Sequence, residues 1–358
     1  MANQELFPRR KTRQIRIGGV LVGGGAPISV QSMTKTDTRN VRATVAQIRR
    51  LERAGCEIVR LAVPDPEAAQ ALSEIRKRSR LPIIADIHFD HRLALKSIDA
   101  GADGLRINPG NIGSAKKVRE VVRAAAGRGI PIRIGVNSGS LEKGLLHGGV
   151  ATAEAMAESA LRHIRMLEDL DFFSIKVSLK ASDIPRTLEA YAILAGRVDY
   201  PFHAGITEAG GLEAGGVKSA AGLALLIREG LADTVRVSLT ASPESEVRTA
   251  WRVLRSLGLR ARGIDIVSCP TCGRCEVDLM TIAAAVERKL AGFAEPLTVA
   301  VMGCMVNGPG EAREADFGVA CGRGTGVLFR KGRVVRKVRE AGIAEALTQE
   351  IMKKRGIE

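Results

Sequence analysis

The sequence predicts an α/β protein in two parts, a (β/α)8 TIM barrel over residues 1–262 and a small α+β domain over 263–358. Three observations predict it. Between Ile28 and Gly258, short runs rich in β-branched residues alternate eight times with segments of helical period. After Arg262 that rhythm stops. Five of the six cysteines lie beyond the break, while Cys56 stands alone in ERAGCEIV as a core residue.

The first unit is ISVQSMT from Ile28, then the helical TVAQIRRLERAG. EIVRLAV from Glu57 is followed by PEAAQALSEIRKR, and LPIIADIH from Leu81 by HRLALKSIDAG. GLRINPG from Gly104 leads to AKKVREVVRAAAGRG, and PIRIGVNSGS from Pro131 to TAEAMAESALRHIRMLEDL. FFSIKVSLK from Phe172 precedes SDIPRTLEAYAILAGR. PFHAGITEAG from Pro201 precedes VKSAAGLALLIREG. DTVRVSLT from Asp233 precedes ESEVRTAWRVLRSLG. Eight regular units match a closed barrel. A doubly wound open sheet is the alternative, and the lack of a glycine-rich dinucleotide turn weighs against it. In the last part, GIDIVSC reads as a strand and VDLMTIAAAVERKLAGF as an amphipathic helix. LTVAVMGC is a second strand, GTGVLFRKGRVVRKV a hairpin and EAGIAEALTQEIMKK a final helix.

Composition narrows the class. Hydrophobic residues make up 45% but aromatics only 3%, so the core must be aliphatic. No run of 18 uncharged apolar residues occurs, which excludes a membrane-spanning helix. The basic N-terminus has no apolar stretch behind it, so a secretory signal is not expected and the chain reads as cytoplasmic. The net charge of +15 admits nucleic acid, an anionic small molecule or an acidic protein. The cations are spread over helix patterns and lack interleaved aromatics, so nucleic acid is not the expected partner.

The predicted strand ends carry polar groups: Gln31 to Thr34, Arg60, Asp86 and His88, Arg106, Asn108 and Asn111, Arg133 and Asn137. The series continues with Lys176, Ser178 and Lys180, then His203, Thr207 and Glu208, then Arg236 and Ser238. One buried arginine is an ordinary core residue with satisfied bonds. Five strands carrying Arg or Lys at one end of a barrel point instead to a phosphorylated ligand, because guanidinium forks match phosphate oxygens. RINPGNIGS, Arg106 to Ser114, opens a helix whose N–H groups suit a phosphate, a weak signal by itself. His91 and His163 fall on helix patterns and read as structural. His147, in KGLLHGGV, has no evident role.

Cys269 and Cys272 form a CxxC within SCPTCGRC, and Cys304 ends an apolar strand before the turn Asn307 to Gly310. Clustered cysteines in a cytoplasmic protein argue for metal over disulfides. A structural zinc would want a second paired motif, and a redox CxxC would not need Cys304. A three-cysteine iron–sulfur cluster fits the spacing best, with Cys275, Cys321 or Glu311 as the fourth ligand.

Taken together, VQSMT, TDT, DIHFD, LRINPGNIG, RIGVNSGSL, HAGITEAG, VRVSLT, SCPTCGR and GCMVNGPGE resemble the 4-hydroxy-3-methylbut-2-enyl diphosphate synthases of the non-mevalonate isoprenoid pathway, over nearly the whole chain. The resemblance implies a 4Fe–4S cluster held by Cys269, Cys272, Cys304 and Glu311, with Cys321 structural and Cys275 not required. It implies reductive opening of 2-C-methyl-D-erythritol 2,4-cyclodiphosphate, with a substrate oxygen taking the place of Glu311 at the unique iron. Arg60, Arg106, Arg133, Lys176 and Lys218 would clamp the diphosphate. Asp86, Asn108, Asn111, Asn137, Ser178, His203 and Ser238 would complete the substrate site, and Glu208 or His88 would handle a proton. It further implies a homodimer, the cluster of one chain serving the barrel of the other, and a flavodoxin or ferredoxin as electron donor. A pterin-binding barrel and a zinc-bearing nucleic-acid binder are the competing readings.

Overall fold

The computed structural model describes residues 6–146, 150–305, 310 and 313–354. It divides into two compact units, Met1–Arg260 and Ala261–Glu358.

The first unit opens with a hairpin that the sequence reading did not anticipate. β1 (Ile15–Ile17) pairs antiparallel with β2 (Val20–Val22) across Gly18, which adopts φ +55°. Ile15, Ile17 and Val22 pack with Ile58 and Ile84, at the starts of two barrel strands, and so plug the N-terminal end of the barrel. Three-residue strands are too short to show a period, which is why IRI and VLV do not announce themselves.

The barrel strands are β3 (Ser29–Met33), β4 (Ile58–Ala62), β5 (Ile83–Asp86), β6 (Gly104–Ile107), β7 (Ile132–Asn137), β8 (Ile175–Lys180), β9 (His203–Ala204) and β10 (Thr234–Val235). Each of the eight predicted runs contains one. All pair in parallel, in the order β8-β7-β6-β5-β4-β3-β10-β9, and a bridge from Val177 to Phe202 joins the two ends of that row. The expected closed barrel is therefore present, and the open-sheet alternative falls.

A helix follows each strand, and its start is set by local chemistry. Asn40, Asp65, Thr152, Asp183 and Ser242 each accept a backbone N–H of the first turn, and Pro66, Pro185 and Pro243 sit in first turns where no donor is lost. The apolar faces of these helices, such as Ile48 and Leu51 or Leu72 and Ile75, are fully buried against the strands. Each such side chain contributes about 1.5–3 kcal/mol of transfer free energy. Tyr191 stitches the seam of short strands, accepting from Leu179 N–H at 3.0 Å and donating to His203 O at 2.6 Å.

The second unit is a five-stranded sheet: β11 (Ile264–Ser268), β12 (Leu297–Met302), β13 (Phe317–Gly322), β14 (Thr325–Arg330) and β15 (Arg333–Arg339), in sequential order. The first three are parallel, and the last two add antiparallel. Helices Leu279–Leu290 and Ile343–Lys354 cover one face. No helix among the described residues is long and apolar enough to cross a membrane.

Candidate active site

Strand alternation sends every second side chain into the barrel. Arg60, Asp86, Arg106, Arg133 and Gly135, Lys176, Ser178 and Lys180, and His203 all point to the interior, while Ile107, Ile134, Val177 and Leu179 face the helices. Register then aligns them. Asp86 lies opposite Arg106, Arg106 opposite Arg133, and Arg133 opposite Lys176, one charged row across four neighbouring strands. Arg133 and Lys176 are not at strand ends. Each is the second residue of its strand, and only the stagger of a closed barrel brings it level with the last residue of β5. Both line a small void above Ile17 of the hairpin plug.

Asp86 is the hub. Its carboxylate accepts from Arg106 Nη1 at 3.3 Å and lies 3.5 Å from Arg60 Nε. Burial would raise that carboxyl, but Arg60, Arg106 and Arg133 outweigh it and hold it below its ordinary value. Arg106 also reaches Gly135 O at 3.2 Å and the His88 ring. Gly135 N–H donates to Asn108 Oδ1 at 3.1 Å, and Arg60 rests on Met33 Sδ. Gly135 is a necessity of space. A Cβ there would sit 2.8 Å from Arg106 Nε and 3.1 Å from Arg133 Nη2.

Cations outnumber carboxylates, and the protein feels it. Burial, together with Arg133 and Arg60, pushes the Lys176 amine well below its usual value. Burial and Arg236, Arg133, Arg60 and Arg106 do the same to Lys180. Burial brings Arg60 down to about 9 and lowers Arg133 and Arg236. His203 is fully buried beside Lys180 and Arg133, which keeps its ring neutral. Polar atoms of this interior also lack partners among the described residues. Arg133 Nε and Nη1, Arg106 Nε, Arg236 Nε, Gln31 Nε2, Ser178 Oγ, Ser32 Oγ and both His203 nitrogens, one a donor and one an acceptor, are buried without a hydrogen-bond partner there. Buried polar groups in folded proteins are almost always paired, so these atoms leave the barrel interior with an unmet demand for hydrogen-bond partners.

The other candidates are more dispersed. Asn111 is exposed on the single helical turn Pro109–Ile112, whose own Asn111 N–H is already bonded to Asn108 O. Asn137 ends β7, half-buried, and Ser238 lies beyond β10, half-buried. His88 is 57% exposed in its side chain, beside Asp86 at 3.8 Å. Glu208 is exposed after β9 and adopts φ +53°, a left-handed conformation costly for a non-glycine residue. Lys218 sits in the helix Leu212–Arg228. Lys180 and Arg236, by contrast, were legible as strand-end residues yet stood outside the expected diphosphate set. His163 is structural, packing against Gly110 and pairing with Glu142.

In the second unit, β11 and β12 run parallel with Ser268 opposite Val301, so Cys269 and Cys304 leave the sheet at the same end. Gly303 N–H donates to Cys269 Sγ at 3.3 Å. A Cβ on Gly303 would lie 2.5 Å from Cys275 Sγ and 3.4 Å from Cys269 Sγ, so the thiols close over bare backbone. The exposed Cys272 thiol is lowered, first by the Arg274 backbone N–H and then by its side chain. Cys321 is fully buried and pushed up to about 12 by burial, which suits a structural residue. Among the described residues no three metal-binding side chains converge on one ion. Glu311 and the segment Asn307 to Pro309 lie outside the described residues.

Two family models match the chain, the GcpE TIM-barrel domain over residues 12–251 and the GcpE protein C-terminal domain over residues 265–353. A curated relative from Geobacter sulfurreducens is 61% identical over 346 residues, 96% of this chain and 98% of its own length. One from Thermodesulfovibrio yellowstonii is 58% identical over 349 residues, 97% of this chain and its whole length. Both are named 4-hydroxy-3-methylbut-2-en-1-yl diphosphate synthase (flavodoxin). Among solved structures, a dihydropteroate synthase from Yersinia pestis aligns with a TM-score of 0.50 at 11% identity, over 68% of this chain and 97% of that one. That likeness speaks for the barrel fold alone.

Proposed function

The chain belongs to the GcpE family, and on that premise we propose that it turns 2-C-methyl-D-erythritol 2,4-cyclodiphosphate into 4-hydroxy-3-methylbut-2-enyl diphosphate, with electrons from flavodoxin. It is an oxidoreductase of the non-mevalonate isoprenoid pathway. Two electrons and two protons enter, the ring opens, and one oxygen leaves as water.

The observation that carries the reading is the buried row of cations whose donors lack acceptors. A cyclic diphosphate supplies the missing acceptors and the missing negative charge. Arg60, Arg106 and Arg133 hold the phosphates as forks, and Lys176, Lys180 and Arg236 complete the clamp. Asp86 keeps the guanidiniums aligned before substrate arrives, and Asn108 orders the Gly135 backbone beneath them. Ser178 and His203 present buried polar atoms for the sugar-derived oxygens. Enclosure excludes water and strengthens each of these contacts. The proton comes from Glu208 or His88, both of which reach solvent.

The thiols of the second unit fit an iron–sulfur cluster. Cys269 accepts an N–H, Cys272 has a lowered thiol, and Gly303 clears the space between Cys269 and Cys275. Cys269, Cys272 and Cys304 would hold a 4Fe–4S cluster with Glu311 as fourth ligand. Such a cluster would supply single-electron transfer when bound. The working unit is a homodimer, a reading that rests on the family resemblance. All six cysteines are free thiols, in keeping with the reducing cytoplasm.

The test is anaerobic turnover of the cyclodiphosphate with reduced flavodoxin, followed by phosphorus NMR of the product. Formation of the linear allylic diphosphate is expected. A protein with iron and sulfide in place that leaves the cyclodiphosphate intact would overturn the reading.

A further inference from the structure

β15 is unlike any other strand of either sheet. Six of the ten residues from Arg330 to Arg339 are cationic and none is acidic. Arg333 to Lys337 are exposed one after another, so neither face of the strand is covered there. Val334 and Val335 stand among these cations at 64% and 42% exposure. Of the six cations, only Arg336 has a carboxylate partner among the described residues, Glu350 at 3.5 Å.

Charge on an edge strand commonly serves to block pairing with other sheets. That explanation is weak here. The opposite edge, β11, reads IDIVS, carries no cation and leaves Val267 exposed. A single Asp265 on the short β11 edge against six cations around β15 is more asymmetry than edge protection alone calls for. Valines set among cations of which only Arg336 meets a carboxylate instead make a small mixed patch of the kind transient electron-transfer partners use, with less than about 1,200 Å² buried in total.

The position of β15 gives the patch its purpose. Arg339 pairs with Thr325, so β15 ends where β14 begins, at the sheet end where β11 and β12 release Cys269 and Cys304. Gly322, at the end of β13, packs on Met305 next to Cys304. Three strand spacings separate β12 from β15, about 14 Å. Arg323, on the turn before β14, is highly exposed and reaches Glu276, just after the cysteines, at 4.0 Å.

We propose that the β15 edge, centred on Arg336, Lys337 and Arg339 with Val334 and Val335, is the surface on which the acidic electron carrier docks. The proposal rests on the flavodoxin-dependent reaction stated above and assigns its carrier a place on the chain. Each docking transfers one electron from the reduced flavin, and two dockings supply the two electrons that one turnover consumes.

The double variant Lys337→Glu/Arg339→Glu tests this in the full-length, cluster-loaded protein, alongside the milder Lys337→Gln/Arg339→Gln. Calorimetric titration with oxidised bacterial flavodoxin at low salt reads binding without turnover. Charge reversal is expected to raise the Kd by at least about 30-fold and neutralisation by a smaller factor, with a flatter dependence on salt in both. Turnover driven by reduced methyl viologen is expected to stay within about twofold of wild type, because a small dye needs no docking surface. Unchanged flavodoxin affinity in the charge-reversed protein overturns the proposal, as does a change of oligomeric state, which would make β15 a subunit contact. If wild type turns over with neither donor, the reading of the reaction fails, and the binding comparison still decides the surface.

Discussion

Replacing Gly135 by alanine adds one methyl group to the barrel and tests the anion clamp directly. Gly135 lies in a strand, not in the left-handed region, so the backbone accepts alanine without strain. The new Cβ would fall 2.8 Å from Arg106 Nε, 3.1 Å from Arg133 Nη2 and 3.2 Å from Arg106 Nη2. Ordinary contact begins near 3.4 Å, so the Arg106 guanidinium must retreat by about 0.6 Å. The guanidinium is buried and also bonds Asp86 and Gly135 O, so its retreat costs the fold about 1–3 kcal/mol. Alanine restricts the unfolded chain, worth about 0.4–1 kcal/mol, which offsets part of that cost, so the melting temperature is expected to fall by only a few degrees. The ligand has no such offset. Charge-assisted bonds of about 2.8 Å do not survive a displacement of that size, and each is worth about 1.5–3 kcal/mol. Losing one predicts a fall of about 10- to 150-fold in kcat/KM for the cyclodiphosphate, and losing two at least about 150-fold. Steady-state kinetics with methyl viologen as donor, beside a thermal melt, separate the two effects. A variant with unchanged melting and kcat/KM within threefold of wild type would refute the idea that Arg106 and Arg133 grip the substrate across Gly135.

Four further outcomes are expected. Burial and neighbouring cations depress Lys176 and Lys180, so the empty site holds fewer protons than the occupied one. Diphosphate binding should therefore take up protons and weaken as pH rises; calorimetry in buffers of different ionisation enthalpy measures this, and proton release would contradict it. Tyr191→Phe leaves Leu179 N–H and His203 O without their shared hydroxyl, and urea unfolding should show the barrel destabilised by about 2–4 kcal/mol. Ala at Cys269, Cys272 or Cys304 should abolish bound iron and sulfide, whereas Cys321→Ala should retain them. Glu311→Ala should keep a cluster and lose most turnover, and full activity in that variant would remove Glu311 from the ligand set.

The eight β/α units, the two cysteine motifs and most of the polar interior were legible in the chain because each is a local signal. A strand shows its period within a few residues, and CxxC is its own spacing. The three-residue hairpin strands were too brief for a period and emerged only when Ile15, Ile17 and Val22 met Ile58 and Ile84. Lys218, expected in the clamp, comes from the helix Leu212–Arg228 and not from a strand. Lys180 and Arg236, read only as strand-end residues, are brought together with Arg133 in the barrel interior.

By itself, then, the sequence determined the fold class, the family and the kinds of groups that do the chemistry. Tertiary structure decided their arrangement. Arg133 and Lys176 stand near the starts of their strands, and only barrel stagger sets them level with Asp86. Whether a buried donor has an acceptor, and whether Gly135 or Gly303 has room for a Cβ, depends on atoms from strands far apart in sequence. Those contacts exist only once the sheets have formed, and no window of neighbouring residues contains them.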